Sequence, residues 1–294
     1  MKNEQFLPTV ERVSTITIVI NVLLSVFKLC AGIFARSGAM ISDGIHSASD
    51  VFSTVIVMIG ARISSRSDDK EHPYGHERFE CVAAIILALI LAITGLSIGY
   101  NGIRIIASRS EIGVEAPGML ALIAAIVSIV VKEAMFWYTR YYAKKVDSSS
   151  LMANAWHHRS DALSSVGALA GIGGAILGYP ILDPIASVVI CLFILKVAYD
   201  IFKDALNRMV DRSCDQKTED ALRATALSVE GVKDVDLLHT RLFGNRTYVE
   251  LEIACDGEQK LKDAHAIAEK VHSSIEHGFP EVKHVTVHVN PTSE

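Results

Sequence analysis

The chain has 294 residues, half of them hydrophobic, and a mean hydropathy of +0.34, which is too apolar for an ordinary soluble protein of this size. Its formal net charge of −5 and isoelectric point near 6.1 argue against nucleic acid as a partner. The five cysteines are scattered and form no CxxC motif, so they indicate neither a disulfide framework nor a thiolate metal site.

Six apolar segments follow one another along the first two thirds of the chain. A transmembrane helix needs about 20 predominantly apolar residues, and each segment reaches that length. The sequence therefore predicts an α-helical membrane protein with six transmembrane helices. The segments cover residues 13–35, 38–63, 79–106, 116–143, 150–178 and 181–202.

Segments two and five differ from the others because each contains a histidine and an aspartate four residues apart. These are His46 and Asp50 in segment two, and His157 and Asp161 in segment five. At this spacing both side chains of a pair lie on one face of a helix. One such pair taken alone is as often a bridge between helices as a functional site. Two copies favour a shared metal site, because ionisable groups at membrane depth are costly unless they pair or bind something.

Two imidazoles and two carboxylates suit Zn2+, which is bound tetrahedrally by nitrogen and oxygen ligands. Segments two and five are also rich in small residues, which let helices approach closely in lipid. We therefore expect these two helices to form the inner, packed pair. The other intramembrane charges are Lys28 and the adjacent Lys132 and Glu133, for which snorkelling or a local ion pair is the expected explanation.

The loop between segments two and three contains a second group of metal-binding residue types, Asp69, His72 and His76. Pro73 and Gly75 disfavour a helix there, so the two imidazoles converge only if the loop folds back. Two histidines and a carboxylate at this spacing suit a labile metal ion. An ordinary solvated loop is an equal alternative.

Basic residues in the short loops predict the orientation of the chain in the membrane. They concentrate after segments two, four and six, whereas the opposite side has few. This bias places both termini in the cytoplasm.

From about residue 210 the composition changes to that of a soluble domain, which divides the chain into a transmembrane domain, 1–208, and a cytosolic domain, 209–294. The pattern of the second domain is helix, strand, strand, helix, strand, with a hairpin at Gly244 and Asn245. A three-stranded sheet covered on one face by two helices is the economical arrangement. So small a core favours pairing with a second copy. The elements are predicted at residues 215–229, 232–243, 247–255, 258–277 and 282–290.

The uncovered face of this predicted sheet is rich in possible metal ligands. Alternation of the strands places Glu252 in the middle strand and His284, His288 and Asn290 in the last strand on that face, and His239 lies in the first strand. We expect a cytosolic metal site there, although the pattern leaves its exact ligands open. A solvated sheet face with scattered histidines is the alternative.

Taken together, the six segments, the two HxxxD motifs, the sequence HPYGHER after segment two and the short C-terminal domain resemble the cation diffusion facilitator family. The resemblance covers nearly the whole chain, and the motifs are specific in combination. It implies a homodimeric exporter in a bacterial inner membrane that exchanges a divalent cation for protons and has no organic cofactor. The residues that match the family's transport site and loop site are His46, Asp50, His157 and Asp161, and Asp69, His72 and His76.

For the cytosolic domain the resemblance implies a ferredoxin-like fold that dimerises and binds metal. His239, His265 and His288 match part of a binuclear site in this domain. Glu252 and Asn290 depart from the family pattern, since they stand where a histidine and an aspartate are expected. We include both in the candidate cytosolic site.

The donor chemistry also predicts a mechanism. Metal binding needs neutral imidazoles and ionised carboxylates, so protons and Zn2+ compete for the same groups, and this competition is itself an antiport mechanism. Export of Mn2+, Fe2+ or Co2+ by the same fold is one alternative, and a membrane-anchored metal sensor that does not transport is another. An intramembrane zinc hydrolase would need an open metal position and a general base, and the sequence contains no HExxH motif, so we do not predict an enzyme.

Overall fold

The computed structural model describes residues 5–34, 38–108, 119–176 and 182–292. Within these ranges the chain forms six long helices followed by a small α+β unit. Each long helix coincides with one of the predicted apolar segments. The long helices are α1 (Phe6–Phe34), α2 (Gly38–Ser64), α3 (Phe79–Ser108), α4 (Met119–Lys145), α5 (Ser149–Ile176) and α6 (Leu182–Met209).

Several helices continue beyond the apolar segments from which they were predicted. Helix α1 begins at Phe6 rather than at residue 13, because Phe6 and Val10 are buried in the core between the helices. Hydropathy alone identifies α1 and α3 as membrane-spanning, over Phe6–Ala31 and Phe79–Ala107. Helices α2, α4 and α5 contain charged and polar side chains of the candidate site, which lowers their hydropathy.

The six helices pack mainly as three pairs, α1 with α2, α4 with α5, and α3 with α6. Helices α2 and α5 do meet, at Ser53 and His157 and at Thr54 and Asn154. Each of them nevertheless packs more extensively against another helix. The expected packed pair of α2 and α5 is therefore a limited contact, and the principal partners of these two helices are α1 and α4.

The outer surface of the helical part is apolar. Large hydrophobic side chains are exposed along α1 and α3, with Leu23 64% and Ile93 67% exposed. An apolar surface of this extent is typical of a protein that contacts lipid or a partner.

The C-terminal part has the predicted order of elements, α7 (Gln216–Leu227), β1 (Asp234–Phe243), β2 (Arg246–Asp256), α8 (Leu261–Gly278) and β3 (Val282–Thr292). The sheet order is β1-β2-β3, with β2 antiparallel to β1 and parallel to β3. Both helices cover the same face of the sheet, which confirms the predicted layers. The buried core between the layers includes Leu222, Val249, Leu251, Ile253, Val271 and Ile275.

Two local signals in the sequence account for this domain's outline. Asp215 caps α7 by accepting a hydrogen bond from the backbone N–H of Thr218 at 2.9 Å. Gly244 has a φ of +62° in the turn between β1 and β2, a conformation that glycine adopts without strain. The predicted hairpin at this position is confirmed.

An ion pair next to the sheet helps to join the helical part to the C-terminal domain. Arg78, just before α3, donates to Asp211, which follows α6. Its guanidinium also lies over the ring of Phe243, 4.6 Å from the centroid. The beginning of α3 and the end of α6 are therefore held at the same edge of the sheet.

Candidate metal centre

Three of the four residues predicted for the transport site meet between α2 and α5. One donor atom from each of Asp50, His157 and Asp161 lies within 4.8 Å of the other two. All three side chains are buried, with at most 7% of any of them exposed. The His157 Nε2 atom lies 3.4 Å from Asp50 Oδ1 and 3.4 Å from Ser53 Oγ. Residues more than 100 positions apart in the sequence are thus brought to one point, as the repeated motif predicted.

The fourth predicted ligand is His46. It belongs to α2, four residues before Asp50. Its side chain lies outside the part of the structure that is described.

A lysine completes the described cluster. Lys132, on α4, is 1% exposed, and its ammonium donates to the carboxylates of both Asp50 and Asp161, the second at 3.1 Å. It also donates to Asn21 Oδ1 on α1, at 3.1 Å. Buried charges are tolerated when they are paired and hydrogen-bonded. Lys132 therefore supplies a positive charge to the two carboxylates from within the protein.

Of the two expectations for Lys132, snorkelling is wrong, because its ammonium is buried, whereas an ion pair does form, with Asp50 and Asp161. The neighbouring Glu133 has different partners, accepting a hydrogen bond from Trp137 Nε1 at 2.9 Å and lying 3.4 Å from the guanidinium of Arg159. Another intramembrane lysine, Lys28, is also buried and donates to Ser47 at 2.8 Å. An intramembrane lysine was a signal in the sequence, but its partners depend on how α4 is rotated against α1 and α5.

The loop between α2 and α3 folds back, which was the condition for convergence, and brings its three candidate ligands together. Asp69, His72 and His76 offer donor atoms within 4.8 Å of one another, and the two imidazole rings are 4.5 Å apart between centroids. Gly75, with a φ of +94°, donates its N–H to the carbonyl of His72 at 2.9 Å and closes the turn. This cluster is open to solvent, since Asp69 and His72 are exposed.

Hydrogen bonds within the loop prepare its side chains for a cation. The backbone N–H of His72 and, less strongly, that of Glu71 donate to Asp69, and they hold the pKa of this carboxyl below its ordinary value. His76 Nδ1 lies 3.1 Å from the carbonyl of Ser67. Because a carbonyl only accepts, the neutral ring carries its proton on Nδ1, and Nε2 is left as the metal-binding atom.

The same loop is attached to the C-terminal domain. The carbonyl of Tyr74 accepts hydrogen bonds from Tyr248 Oη at 2.9 Å and from Lys283 Nζ at 2.8 Å. Lys283 also pairs with Glu77 at 2.6 Å. The candidate loop site is therefore positioned by side chains of β2 and β3.

The five candidate ligands of the cytosolic site do not come together in the described chain. In the sheet register His239 of β1 lies opposite Glu250 of β2, and His288 of β3 lies opposite Glu252 of β2. His265 is on α8, in the helical layer, with 71% of its side chain exposed. The helical layer covers the opposite face of the sheet, so His265 is separated from the others within one chain.

The departure at Asn290 has a structural consequence. Its amide nitrogen lies 2.9 Å from Asp236 Oδ2 and 3.1 Å from Glu252 Oε2, and it donates to both carboxylates. An aspartate at this position would place a third negative charge beside the two. The Asn290 amide therefore links the carboxylates of Asp236 and Glu252, as a metal ion would if residue 290 were an aspartate.

A group that the sequence did not single out lies at the other end of the same domain. His272 and Glu276 on α8 and His284 on β3 have donor atoms within 4.8 Å of one another. The spacing of His272 and Glu276 on α8 could have indicated two metal ligands on one helix face. That His284, on an edge strand, reaches the end of α8 depends on the tertiary packing.

Comparison with known proteins identifies both parts of the chain. Residues 14–210 match the cation efflux transmembrane domain, and residues 214–292 match the cytoplasmic domain of cation efflux proteins. The chain belongs to the cation diffusion facilitator family. It is accordingly a metal cation efflux transporter and not an enzyme, and the predicted fold class, six transmembrane helices followed by a ferredoxin-like αββαβ domain, is confirmed.

Relatives of this transporter occur in archaea, bacteria and plants. A transporter of Methanocaldococcus jannaschii is 37% identical, over 96% of this chain and 98% of its own length. The manganese efflux system protein MneP of Bacillus subtilis is 29% identical over 96% of both chains. Metal tolerance protein C1 of Arabidopsis thaliana is 34% identical over 96% of this chain, which spans 62% of that longer protein.

Proposed function

We propose that the transporter exports Zn2+ in exchange for protons, as a homodimer in a bacterial inner membrane with both termini in the cytoplasm. The observation that carries the proposal is the buried cluster of Asp50, His157 and Asp161. We propose His46, four residues before Asp50 on α2, as the fourth ligand. Four protein ligands fill a tetrahedral shell, which suits carriage of the ion better than catalysis.

The mixed donor set favours zinc over the harder cations. Imidazole nitrogen suits Zn2+ and other borderline metals, whereas sites built only from oxygen suit Mn2+ and Mg2+. Manganese is the specific alternative, because the relative MneP is named a manganese efflux protein. Fe2+ and Co2+ follow it, since the affinity order of divalent metals does not exclude them.

Proton coupling follows from the same side chains. An imidazole or carboxylate that holds the metal must be unprotonated, so loading of metal on one side and protons on the other exchanges the two. Rocking of helices around a fixed site gives access to each side in turn. The limited contact between α2 and α5 is suited to such movement, since each is packed more extensively on a different neighbour.

The sites outside the membrane are proposed to bind metal in support of transport. Asp69, His72 and His76 form a labile site at the cytosolic end of α2. We place a further site on the uncovered sheet face, from His239, Glu252, His288 and Asn290, with His265 contributed separately across the proposed dimer. Because the Asn290 amide already donates to Asp236 and Glu252, we expect this cytosolic site to bind metal weakly.

Transport by purified protein in vesicles that contain a zinc-sensitive dye tests the proposal. Zinc entry should increase when a pH gradient is imposed, and Asp50→Ala and Asp161→Ala should abolish it. Asp200→Ala, which removes an exposed carboxylate of α6, is the matched control and should transport normally. The same vesicles then rank Zn2+, Cd2+, Mn2+, Fe2+ and Co2+.

Two outcomes would redirect the proposal. Faster transport of Mn2+ than of Zn2+ would make this a manganese exporter with the same site. Binding of zinc without any transport would overturn the exporter and leave a membrane-anchored metal sensor.

A further inference from the structure

We infer that the ammonium of Lys132 is a tethered counter-ion of the transport site, which a divalent ion must displace to bind and which helps to expel that ion afterwards. The inference rests on the proposed function and adds to it a residue that sets metal affinity and selects for divalent over monovalent ions. It concerns the charge of Lys132 and its position between the two carboxylates.

Oxygen atoms surround the ammonium of Lys132, as they would a bound metal cation. Its three N–H donors have three partners, the carboxylates of Asp50 and Asp161 and the amide oxygen of Asn21. The partners come from α2, α5 and α1, while the lysine itself comes from α4. Four helices of the membrane domain therefore meet at one buried charge.

Lys132 and a metal ion require the same oxygen atoms. The ammonium contacts Oδ2 of both Asp50 and Asp161, and the remaining Asp50 oxygen lies beside His157 Nε2. A divalent ion bound to those oxygens would lie within about 4 Å of the ammonium. At that separation the repulsion between like charges is severe in a buried site, even at an effective dielectric constant of about 20. Metal and ammonium therefore exclude each other.

Acceptors exist nearby for the displaced ammonium. Asn21 Oδ1 is already a partner and does not bind the metal in the proposed site. Ser128 lies one turn before Lys132 on α4, and its buried hydroxyl has no hydrogen-bond partner in the described structure. A small rotation of the lysine side chain toward α1 keeps its charge hydrogen-bonded while the carboxylates turn to the metal.

This exchange has two consequences for selectivity and release. A divalent ion that replaces an ammonium adds only one net charge, so its affinity is lower than in a site without the lysine. A monovalent ion gains nothing by the exchange, so Na+ and K+ do not compete. When the site opens to the far side, the return of the ammonium to Asp50 and Asp161 favours departure of the metal.

Zinc binding and transport by two charge-neutral variants, Lys132→Met and Lys132→Gln, test the inference. We expect both variants to bind Zn2+ at least tenfold more tightly than the wild type in calorimetry. In vesicles we expect them to transport it at least tenfold more slowly, because release is impaired. We also expect K+ at roughly 100 mM to weaken zinc binding to the variants. The wild type should not respond to K+, because the ammonium already occupies the monovalent position.

Two control variants separate the effect of the charge from that of the structure. Lys132→Arg keeps the charge and should bind zinc with an affinity near that of the wild type. Lys196→Met removes a lysine from an exposed position of α6 and should change nothing. Lys132→Gln keeps a polar side chain if the methionine variant does not fold, as judged by size-exclusion chromatography.

Each result has one meaning. Unchanged or weaker zinc binding in folded Lys132→Gln would overturn the inference while leaving the exporter intact. Failure of the wild type to bind or transport any divalent ion would overturn the proposed function itself.

A separate observation points to a metal site at the end of α8. Its ligands are His272, Glu276 and His284, and it would take a borderline divalent ion such as Zn2+, Co2+ or Ni2+. The His272 Nε2 atom lies 3.1 Å and the His284 Nδ1 atom 3.5 Å from the same oxygen, Glu276 Oε1. The two rings are 5.5 Å apart and inclined at 72°.

This arrangement differs from a chance surface pair because it joins two elements. His272 and Glu276 lie one helical turn apart on one face of α8, and β3 brings His284 to them across the short connection after α8. Two imidazoles and one carboxylate leave positions for water on the metal, as in a labile site. His284 follows Lys283, which holds the loop carbonyl of Tyr74. An ion here would fix the strand that positions the loop site.

The test uses the full chain in detergent, with the transport and loop sites weakened by Asp50→Ala and Asp69→Ala. In that background His284→Ala and Glu276→Gln should each lower the Zn2+ stoichiometry by one ion per chain in calorimetry. His277→Ala removes an exposed histidine of the same helix and should leave the stoichiometry unchanged. All three substitutions are at partly or fully exposed positions. An unchanged stoichiometry and affinity in both ligand variants would overturn this site.

Discussion

The transport site and the loop site contain the same kinds of ligand, histidine and aspartate, in opposite surroundings. Asp50, His157 and Asp161 are buried, and the ammonium of Lys132 donates to both carboxylates. Asp69 and His72 are exposed, and backbone N–H groups with surrounding water are sufficient for the carboxylate. A buried carboxylate needs a counter-charge of its own because desolvation penalises a lone ion, whereas an exposed one does not.

This difference in burial suits the two proposed sites to different tasks, although their ligand types are the same. The exposed loop site is suited to exchange metal with the cytosol without a change of fold. In the proposed mechanism the enclosed site releases its ion only when helices move, which is what a carrier requires. We therefore expect changes in the enclosed site to affect transport, and changes in the loop to affect binding.

The largest effect is expected from Asp161→Asn. The substitution keeps the shape of the side chain but leaves Lys132 with less compensation and removes one anionic ligand of the metal. We expect zinc transport to fall by at least about a hundredfold, measured in dye-loaded vesicles. Asp200→Asn, at an exposed position of α6, is the matched control. Transport within a factor of two of the wild type would remove Asp161 from the site.

A smaller effect is expected from Asp69→Asn. Loss of the carboxylate should weaken zinc binding at the loop about tenfold, while transport at saturating zinc changes less than about threefold. Asp68→Asn, at the exposed neighbouring position, should change neither quantity. A loss of transport as large as that of Asp161→Asn would show that the two sites act as one.

The pH dependence of the loop site should not come from Asp69. Its pKa is lowered by the backbone N–H groups of His72 and Glu71, so its charge stabilises the folded loop at pH values above the ordinary aspartate pKa of about 3.9. This contribution is lost only when the pH falls through the lowered pKa. The ratio of zinc affinities between wild type and Asp69→Asn should therefore be constant from about pH 8 to about pH 5. A ratio that shrinks toward pH 5 would contradict the prediction.

The smallest effect is expected from His288→Ala. This side chain lies on the uncovered face of the sheet, far from the charges between α2 and α5, and we expect it to shift only the zinc concentration at which transport begins. The maximum rate should stay within about twofold of the wild type (about 0.4 kcal/mol). A lower maximum rate with an unchanged threshold would argue against a regulatory role for the cytosolic site.

Much of this protein followed from patterns within a few residues. Apolar segments of sufficient length located six helices, alternation and turn signals located three strands, and Pro73 and Gly75 indicated a non-helical loop. The two HxxxD motifs predicted a shared site because helical spacing fixes which side chains lie on one face. These features depend on local geometry, which the sequence by itself determines.

Other features depend on which surfaces meet. Nothing local to α4 specifies that Lys132 faces α1, α2 and α5 rather than the membrane surface, since the rotation of a helix is set by its neighbours. The same holds for His284, which reaches α8 around an edge strand, and for Asn290, whose amide bridges two carboxylates from other strands. The sequence determined the elements and supplied the candidate ligands. The tertiary structure alone decided which charges share a buried space, because burial and pairing are properties of packed surfaces.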